Sequence, residues 1–391
     1  MRVLDDLCLS GAKVLVRVDL NVPMTGGEIR SKSRINLAAP TIMELVDKGA
    51  KVIVLAHFGR PKGQFVSEMS LAPLVGPLSE VLDRSVGFAT LDEAMDAVGR
   101  MVNGDILLLE NLRFYPGEED NTPEFAKRLA ALGDIYVNDA FSCAHRSHAS
   151  TEALARLLPA AAGRSMQAEI AALNSVLANP GRPVAALVGG AKVSTKLDVL
   201  ANLLKNVDQL IIGGGMANTF LFAKGFGVGI SLCQKDLAAT ARDIMDKARA
   251  AGCEIVLPID VVVAHAFKAR PDTATVPVEK VPENMMILDV GPASVRDLLV
   301  RLGRCKTLLW NGPMGAFEIS PFDQGTVRVA QAAARQTKAS KLISIAGGGD
   351  TAAALSHAGT THDFTYVSMA GGAFLEWLEG KDLPGIKALE I

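Results

Sequence analysis

The sequence contains few cysteines, and they are not arranged in pairs. Of its 391 residues only five are cysteine, and no two of them have the C-x-x-C spacing. An odd number of scattered cysteines implies no disulfide framework and is typical of a reduced, cytosolic protein. We therefore expect free thiols at all five positions: Cys8, Cys143, Cys233, Cys253 and Cys305.

Long apolar runs and an excess of charge of one sign are also lacking. The net charge is −2 and the pI is about 6.3, so no basic field attracts nucleic acid or an acidic membrane surface. No run reaches the roughly 18 apolar residues of a membrane span. Acidic residues occupy the part of residues 1–13 where a signal peptide would have its apolar core. We expect a cytoplasmic protein without nucleic-acid or membrane partners.

A Walker A phosphate-binding loop is missing too, although residues 187–200 contain some of its ingredients. Gly189 and Gly190 follow an apolar run, at a predicted turn from strand to helix, but the G-x-x-x-x-G-K-[ST] spacing is absent. Lys192 and Lys196 are four residues apart, which predicts that both ammonium groups lie on one face of a helix. The segment alone fits either an anion site at a helix N-terminus or a solvated lysine pair.

What the chain does contain is a regular alternation of apolar strands and amphipathic helices. Helical periodicity occurs at residues 35–49, 122–133, 197–208 and 236–252. Apolar runs with the composition of strands lie at residues 13–20, 51–57, 105–111, 135–139, 183–189, 209–214, 254–265, 307–312, 341–347 and 366–371. Continuous apolar strands between helices predict parallel sheets that are covered on both faces.

The length of the chain exceeds what one core usually organises, so two domains are expected. We predict an α/β protein with two Rossmann-like domains, each a parallel sheet covered by helices, joined by a helical hinge. The predicted domains are residues 1–165 and 166–379, with a linker helix at 165–181. The tail at about 380–391 is predicted to return to the first domain.

The predicted strands of the two halves end in different residue types. Ligands of open α/β sheets bind beyond the carboxyl ends of the strands. In the first half these positions supply polar and cationic groups: Asp19, Asn21, His57, Arg60, Arg113, His145, Arg146 and His148. In the second half they supply glycine turns at 189–190, 213–215, 347–349 and 371–372. Arginine forks suit a small, multiply charged anion, and glycine turns suit nucleotide phosphates, so the pattern indicates phosphoryl transfer.

Each of these features also has a structural interpretation. The glycines could be tight turns that pack helix against sheet, and Asp350 could be a helix N-cap. The histidines could be hydrogen-bonded structural residues. The segment CAHRSH also allows a metal site with Cys143, His145 and His148 as ligands, although a fourth ligand is missing.

Long ordered motifs run through the chain: RVDLNVP, HFGRPKG, LLLENLRFYPGEE, YVNDAFSCAHRSHAST, VGGAKVSTK, GGGMANTFL, WNGPMGAFE, AGGGDTAAAL and LEWLEGKDLPGIKAL. In these motifs the sequence resembles the phosphoglycerate kinase family from end to end. The resemblance implies reversible phosphoryl transfer between 1,3-bisphosphoglycerate and ADP, which yields 3-phosphoglycerate and ATP. It also implies Mg²⁺ as cofactor, a monomeric state, a first domain that binds 3-phosphoglycerate and a second that binds the nucleotide.

The resemblance further implies roles for single residues of the first domain. Asp19 and Asn21 would hold the glycerate end of the substrate. Arg34 would lie nearest to the transferred group. The groups around the 3-phosphate and the reacting carboxyl would be Arg34, His57, Phe58, Gly59, Arg60, Arg113 and Arg146.

In the second domain the resemblance assigns Lys192 and Lys196 to the substrate and nucleotide phosphates, with Lys196 following the migrating group. Gly371 and Gly372 would face that group from a helix N-terminus, and Asp350 would be the Mg²⁺ ligand. Glu318 would contact the ribose. The rest of the nucleotide pocket would consist of Gly213, Gly214, Asn311, Gly347, Gly348, Gly349 and Thr351.

The chain departs from the family at a few positions. SMAGG replaces the common Ser-Thr-Gly-Gly-Gly, so Met369 and Ala370 stand where the family has threonine and glycine. Position 369 therefore offers no side-chain hydroxyl to a ligand. AHFGRP replaces the more usual Ser-His-Leu-Gly-Arg-Pro, although His57 and Arg60 remain.

Two functions of other classes also fit parts of the pattern. A nicotinamide-dependent dehydrogenase would use two α/β domains, but no G-x-G-x-x-G opens a helix after the first strands. A non-catalytic, hinge-closing anion-binding protein would explain the arginines. It would leave the glycine-lined second site without a purpose.

Overall fold

The computed structural model describes residues 1–25, 28–177 and 180–390. The chain divides into two compact units: unit 1 is Met1–Ile170 with Asp382–Ile391, and unit 2 is Ala171–Lys381. This division falls a few residues beyond the predicted boundary at 165. The predicted linker helix at 165–181 corresponds to an observed helix, Arg164–Leu177. Residues 178 and 179 of that prediction, and residue 391 of the predicted tail, lie outside the described residues.

The strands are short and consist mostly of apolar residues. In chain order they are β1 Lys13–Arg17, β2 Met24–Thr25, β3 Glu28–Ile29, β4 Lys51–Leu55, β5 Val86–Ala89, β6 Ile106–Leu109, β7 Ile135–Asn138, β8 Ala160–Ala162, β9 Val184–Val188, β10 Gln209–Ile212, β11 Glu254–Val256, β12 Asp260–Ala264, β13 Thr273–Pro277, β14 Met286–Val290, β15 Thr307–Asn311, β16 Ile343–Gly347 and β17 Tyr366–Ser368.

Helices follow most of these strands. They are α1 Ser33–Asp47, α2 Val75–Leu82, α3 Ala94–Gly99, α4 Pro116–Glu119, α5 Pro123–Ala130, α6 Arg164–Leu177, α7 Leu197–Leu203, α8 Gly214–Ala223, α9 Ala238–Ala251, α10 Pro292–Leu302, α11 Gln324–Lys338, α12 Gly349–His357, α13 Gly371–Leu378 and α14 Pro384–Lys387. In the described part of the chain, none of them is both long enough and apolar enough to cross a membrane.

Each unit contains one six-stranded parallel sheet. The strand order in unit 1 is β5-β6-β4-β1-β7-β8, and in unit 2 it is β11-β10-β9-β15-β16-β17. In unit 1 the strands β4 and β7 flank β1 on opposite sides, and in unit 2 the strands β10 and β15 flank β9 in the same way. The direction of winding reverses at such a place, and a ligand crevice opens at the carboxyl ends of the strands. The predicted fold class of two helix-covered parallel sheets is confirmed.

The prediction of one strand over residues 254–265 is wrong. Pro258 interrupts the run, so Glu254–Val256 forms the edge of the parallel sheet and Asp260–Ala264 pairs elsewhere. The second piece, β12, is the middle strand of a small antiparallel sheet with the order β13-β12-β14. A proline has no N–H for a strand ladder, which explains why the apolar run divides there.

Helix α1 carries the predicted site residue Arg34 near its first turn and buries its other end in unit 1. Leu45 and Ile42 are fully buried in the same hydrophobic cluster as Val14 and Val16 of β1. Leu37 on the same helix is 42% exposed. The packing of Leu45 and Ile42 therefore fixes α1 against the sheet, and Arg34 with it.

Replacing Leu45 by alanine should destabilise unit 1 by about 2–5 kcal/mol, because the removed methyl groups leave a cavity in a close-packed core. The matched control Leu37→Ala should cost at most about 0.5 kcal/mol, because its side chain is partly in water. Hydrogen–deuterium exchange in urea, resolved by mass spectrometry, gives both values for unit 1 peptides. Equal losses in the two variants would contradict the assigned orientation of α1.

Candidate functional site

Asp19, which follows β1, ties together three elements at the carboxyl edge of the unit 1 sheet. Its carboxylate accepts hydrogen bonds from the Arg34 guanidinium and from the Ser142 hydroxyl. The backbone N–H of Asn21 donates to the same carboxylate over 3.0 Å. The first turn of α1 and the segment after β7 are thereby held against the end of β1. Arg34 keeps part of its side chain accessible and can still face a ligand.

The loop after β4 is held by side chains from neighbouring strand ends. The Gly59 N–H donates to the Asn21 side-chain oxygen over 3.1 Å, and Arg113 Nη1 donates to the Gly59 carbonyl over 2.7 Å. Gly59 has a φ of +61°, which favours glycine. The Phe58 N–H donates to the Asn111 side chain over 3.2 Å. The loop thus brings Asn21, Phe58, Gly59 and Arg113 together as the sequence predicts.

His57 belongs to the same loop and is almost fully buried. Arg17 Nη2 donates to its Nδ1 over 2.9 Å. The pKa of His57 is held well below its usual range, mainly by burial and next by the charges of Arg17 and Arg113. The same causes lower the pKa of His148 to about 3. Both imidazoles are therefore neutral at pH 7.

The remaining predicted arginines near His57 differ in their burial and in their contacts. Arg146 influences His57 electrostatically, and its Nε donates to His145 Nε2 over 3.2 Å. Arg113 is buried, and its Nε lies 3.2 Å from a Glu119 carboxylate oxygen. Arg60 follows Gly59 at an exposed position. Burial lowers the pKa of Arg113, but a guanidinium stays protonated, so the edge carries a concentrated positive charge suited to an anion.

The metal interpretation of CAHRSH receives no support from the geometry. Cys143 is buried, with its Sγ 3.9 Å from His57 Nδ1. His148 is 3.9 Å from a Glu118 carboxylate oxygen. In residues 1–25, 28–177 and 180–390, no three His, Cys, Asp or Glu side chains are grouped so that they could hold a metal ion. All five cysteines are free thiols, as predicted.

Unit 2 contains a cavity of about 580 Å³ at the carboxyl edge of its parallel sheet. Gly190, Gly214, Glu318 and Asp350 are among the residues that line it. They follow β9, β10, β15 and β16, four adjacent strands. Other predicted nucleotide residues are not among the lining residues and lie at the ends of β10, β15 and β16 or in the first turn of α12, namely Gly213, Asn311, Gly347, Gly348, Gly349 and Thr351.

Asn311 connects several of these strand ends by side-chain hydrogen bonds. Its side-chain N–H donates to the Gly347 carbonyl over 2.7 Å, and its oxygen accepts a hydrogen bond from the Lys196 ammonium. The Thr351 hydroxyl also donates to the Gly347 carbonyl, over 2.8 Å, and accepts from the Gly312 N–H over 2.7 Å. The ends of β15 and β16 and the start of α12 are therefore joined around Lys196.

The prediction that Lys192 and Lys196 share one helix face is wrong. Residues 193–195 form a single 3₁₀ turn, and α7 begins only at Leu197. Lys192 has an extended backbone and is exposed, whereas Lys196 is partly buried. Because the helical rule of four residues does not apply across this turn, the two ammonium groups occupy different environments. Burial lowers the pKa of Lys196 to about 8, and the carboxylates of Asp350 and Glu379 oppose this effect.

Glycines begin three helices at this edge. Gly213 is the N-cap of α8, Gly348 is the N-cap of α12 with a φ of +100°, and Gly371 is the first residue of α13. Asp350 lies in the first turn of α12 and is not its N-cap, so the structural interpretation of Asp350 fails. Amide N–H groups at helix starts attract anions, as in other phosphate sites.

The sequence reasoning did not identify two kinds of residue at these edges. Arg17 is a charged residue at the end of an otherwise apolar buried strand, and this contrast could have marked it. Ile230, Leu232 and Phe267 line the unit 2 cavity while remaining about half exposed. They lie outside helices and strands, so no periodicity pointed to them.

Comparison with known proteins gives a consistent result. Residues 4–381 match the family model of phosphoglycerate kinase. The chain is similar to the phosphoglycerate kinase of Chelativorans sp., with 61% identity over 100% of this chain and 99% of the other. It is also similar to that of Agrobacterium fabrum, with 60% identity over 99% of this chain and 98% of the other. It is similar in structure to the phosphoglycerate kinase of Coxiella burnetii, with a TM-score of 0.93 and 44% identity over 99% of this chain and 98% of the other. It is also similar to that of Pyrococcus horikoshii, with a TM-score of 0.84 and 32% identity over 100% of this chain and 98% of the other.

The lowered pKa of Lys196 predicts a distinct pH dependence of anion binding to unit 2. A lysine with a pKa of about 8 loses its charge as the pH rises from about 7 to 9, so the affinity for tripolyphosphate should fall over this interval. In Lys196→Arg the guanidinium stays protonated, and the affinity should fall less. The affinities of both proteins are measured by calorimetry at each pH. The ligand's own change of charge affects both proteins equally, so it cancels in their comparison. If the affinities of the two proteins fell equally with pH, the loss of charge on Lys196 would not be the cause.

Proposed function

Because the chain belongs to the phosphoglycerate kinase family and catalyses the reversible phosphoryl transfer between 1,3-bisphosphoglycerate and ADP, we propose specific roles for its residues in that reaction. The observation that carries the proposal is the contrast between the two sheet edges. One edge gathers guanidinium groups around a neutral imidazole, and the other places glycine turns and a lysine around a cavity. The alternatives of a dehydrogenase and a non-catalytic binding protein are excluded by the family.

Unit 1 is proposed to bind the phosphoglycerate. Asp19 and Asn21 hold the glycerate end, and Arg34 lies nearest to the group that moves. The hydrogen bonds that Arg34 donates to Asp19 and that the Gly59 N–H donates to Asn21 support this role, because they preorganise the edge before a ligand arrives. The groups proposed around the 3-phosphate and the carboxyl are His57, Phe58, Gly59, Arg60, Arg113 and Arg146.

Unit 2 is proposed to bind ADP and ATP in its cavity. Its volume of about 580 Å³ suits a nucleotide, and its exposed apolar side chains offer a surface for a base. Glu318 is proposed to contact the ribose. The phosphates are proposed to lie at the glycine turns and helix starts, with Lys192 and Lys196 as their cations. The supporting residues are Gly213, Gly214, Asn311, Gly347, Gly348, Gly349 and Thr351.

Mg²⁺ is proposed to be held by Asp350. This carboxylate is exposed and lines the cavity, and a protein commonly provides only one or two carboxylates for Mg²⁺, while phosphates and water complete the coordination. The donor set therefore fits the ion. When bound, Mg²⁺ neutralises charge on the nucleotide phosphates. We also propose, as the sequence predicts, that the chain acts as a monomer in the cytoplasm.

The reaction needs positioning and positive charge more than it needs a base. In the direction of ATP consumption the nucleophile is the carboxylate of 3-phosphoglycerate, which is already ionised at neutral pH. The transferred group spreads negative charge over its equatorial oxygens. Arg34 and Lys196 are proposed to stabilise that charge, together with the amide N–H groups of Gly371 and Gly372 at the start of α13.

Arg34→Ala and Lys196→Ala should each lower kcat by about two to three orders of magnitude, because each removes a contact proposed to strengthen in the transition state. The affinity for ADP should change much less. The activity is measured with 3-phosphoglycerate and Mg-ATP, with hydroxylamine to trap the acyl phosphate. The matched controls Arg84→Ala and Lys205→Ala remove exposed cations of the same units and should retain full activity. If Lys196→Ala lost ADP affinity and kcat to the same degree, Lys196 would be a binding residue only.

Asp350→Asn should abolish most of the increase in ADP affinity that Mg²⁺ produces, because the amide oxygen is a weaker ligand for a hard cation. The affinity for ADP without Mg²⁺ should stay the same or rise, since a negative charge near the phosphates is removed. Calorimetry with and without Mg²⁺ measures both values. The control Asp198→Asn, in the first turn of α7, should behave like the wild type. An unchanged effect of Mg²⁺ in Asp350→Asn would rule out Asp350 as its ligand.

A further inference from the structure

Arg17 is a fully buried arginine at the end of β1, beneath the proposed phosphoglycerate site. Its guanidinium contacts four groups. Nε donates to the Ser150 hydroxyl over 2.8 Å, and Nη1 donates to the Val18 carbonyl. Nη2 donates to His57 Nδ1 over 2.9 Å and makes a longer contact of 4.0 Å with Cys143 Sγ. A side chain with no exposed surface does not itself touch a ligand. Its effect on the reaction must pass through a residue that does.

The Ser150 contact holds the guanidinium in its place. The Ser150 hydroxyl accepts from Arg17 and donates to Glu118 over 2.6 Å, and the Ser150 N–H donates to the same carboxylate over 2.9 Å. Glu118 is fully buried as well. The Tyr136 hydroxyl donates to the Ser150 carbonyl over 2.6 Å. Because Ser150 is itself held at its hydroxyl, its N–H and its carbonyl, it holds the guanidinium in the orientation that donates to His57.

The chemistry of the two side chains assigns the proton on the imidazole. A guanidinium has only donors, so the His57 Nδ1 that faces it must be the nitrogen with the free lone pair. A neutral imidazole carries a single ring proton, which then belongs to Nε2. The guanidinium charge beside Nδ1 also opposes protonation of that nitrogen, which would make the ring a cation. A residue that is buried away from the ligand therefore fixes the ring in one tautomer.

We infer that Arg17 is a positioning residue, which fixes His57 in the Nε2–H tautomer and so supplies the phosphoglycerate with a neutral, oriented donor. The inference rests on the proposed function in one respect, namely that His57 contacts the phosphoglycerate. It goes beyond that function because it assigns a role to a residue outside the site and a tautomer to a residue within it. A fixed neutral donor recognises an anion without the desolvation cost of another buried charge.

The tautomer can be measured in the ligand-free protein by ¹⁵N nuclear magnetic resonance with labelled histidine. Wild-type Nδ1 should have the shift of a pyridine-type nitrogen and Nε2 that of a pyrrole-type nitrogen, with His57→Ala identifying the signals. In Arg17→Lys the ammonium keeps the charge but stops short of the ring, so the two shifts should move towards each other. A pyrrole-type Nδ1 in the wild type would overturn the inference, and this measurement requires no Arg17 variant.

A double-mutant cycle tests whether Arg17 acts through His57. Arg17→Lys should raise KM for 3-phosphoglycerate by about tenfold, the size expected for a lost hydrogen bond of about 1.4 kcal/mol, and should leave KM for ATP unchanged. In the His57→Ala background the same substitution should produce no further rise. The control Thr41→Val removes a fully buried hydroxyl of unit 1 that accepts from the Arg164 N–H over 2.9 Å and has no part in the Arg17 contacts, so it should change neither KM nor the tautomer.

Two outcomes separate this inference from the proposed function. If Arg17→Lys raised KM equally with and without the His57 ring, Arg17 would not act through His57 and the inference would be overturned. If His57→Ala left KM for 3-phosphoglycerate unchanged, the proposed contact of His57 would be wrong. In that case the ¹⁵N shifts still decide whether Arg17 fixes the tautomer.

Discussion

The parallel pairing of the strands fixes where the proposed residues of both units lie. Every neighbouring pair in the two six-stranded sheets is parallel, so all the carboxyl ends of a sheet lie at one edge. Helices that follow these strands begin at the same edge, with unpaired N–H groups and the positive end of their dipoles. The edge therefore favours anions before any side chain is considered. Each residue with a proposed role in the reaction lies at or near such an edge.

The two units add positive charge to this edge by different means. Unit 1 uses guanidinium groups, which keep their charge when buried and are directed by partners such as Asp19. Unit 2 uses backbone amides at glycine turns and the single partly buried Lys196, whose pKa burial lowers to about 8. Forked side chains enclose a small anion closely. Glycine turns leave room for a larger phosphate chain, since no Cβ stands in its way.

Which side chains lie at the two sheet edges was largely predictable, because strand ends can be recognised in the sequence. A polar residue at or just beyond the end of an apolar strand, such as Asn311 or Asp19, must lie at the carboxyl edge once the sheet is parallel. The relation between Lys192 and Lys196 was not predictable in this way, because a 3₁₀ turn and a helix differ in the number of residues per turn. The role of Arg17 was also hidden, since its partners are distant in the sequence and meet only through the sheet.

The fold class, the family and the residue types at each strand end follow from the amino-acid sequence alone, because they depend on local periodicity and on motifs of consecutive residues. The protonation states of those residues depend on the folded structure. The neutral ring of His57 and the lowered pKa of Lys196 arise from burial among groups far apart in the chain. Desolvation depends on the atoms that surround a group in space, and a linear pattern does not record them.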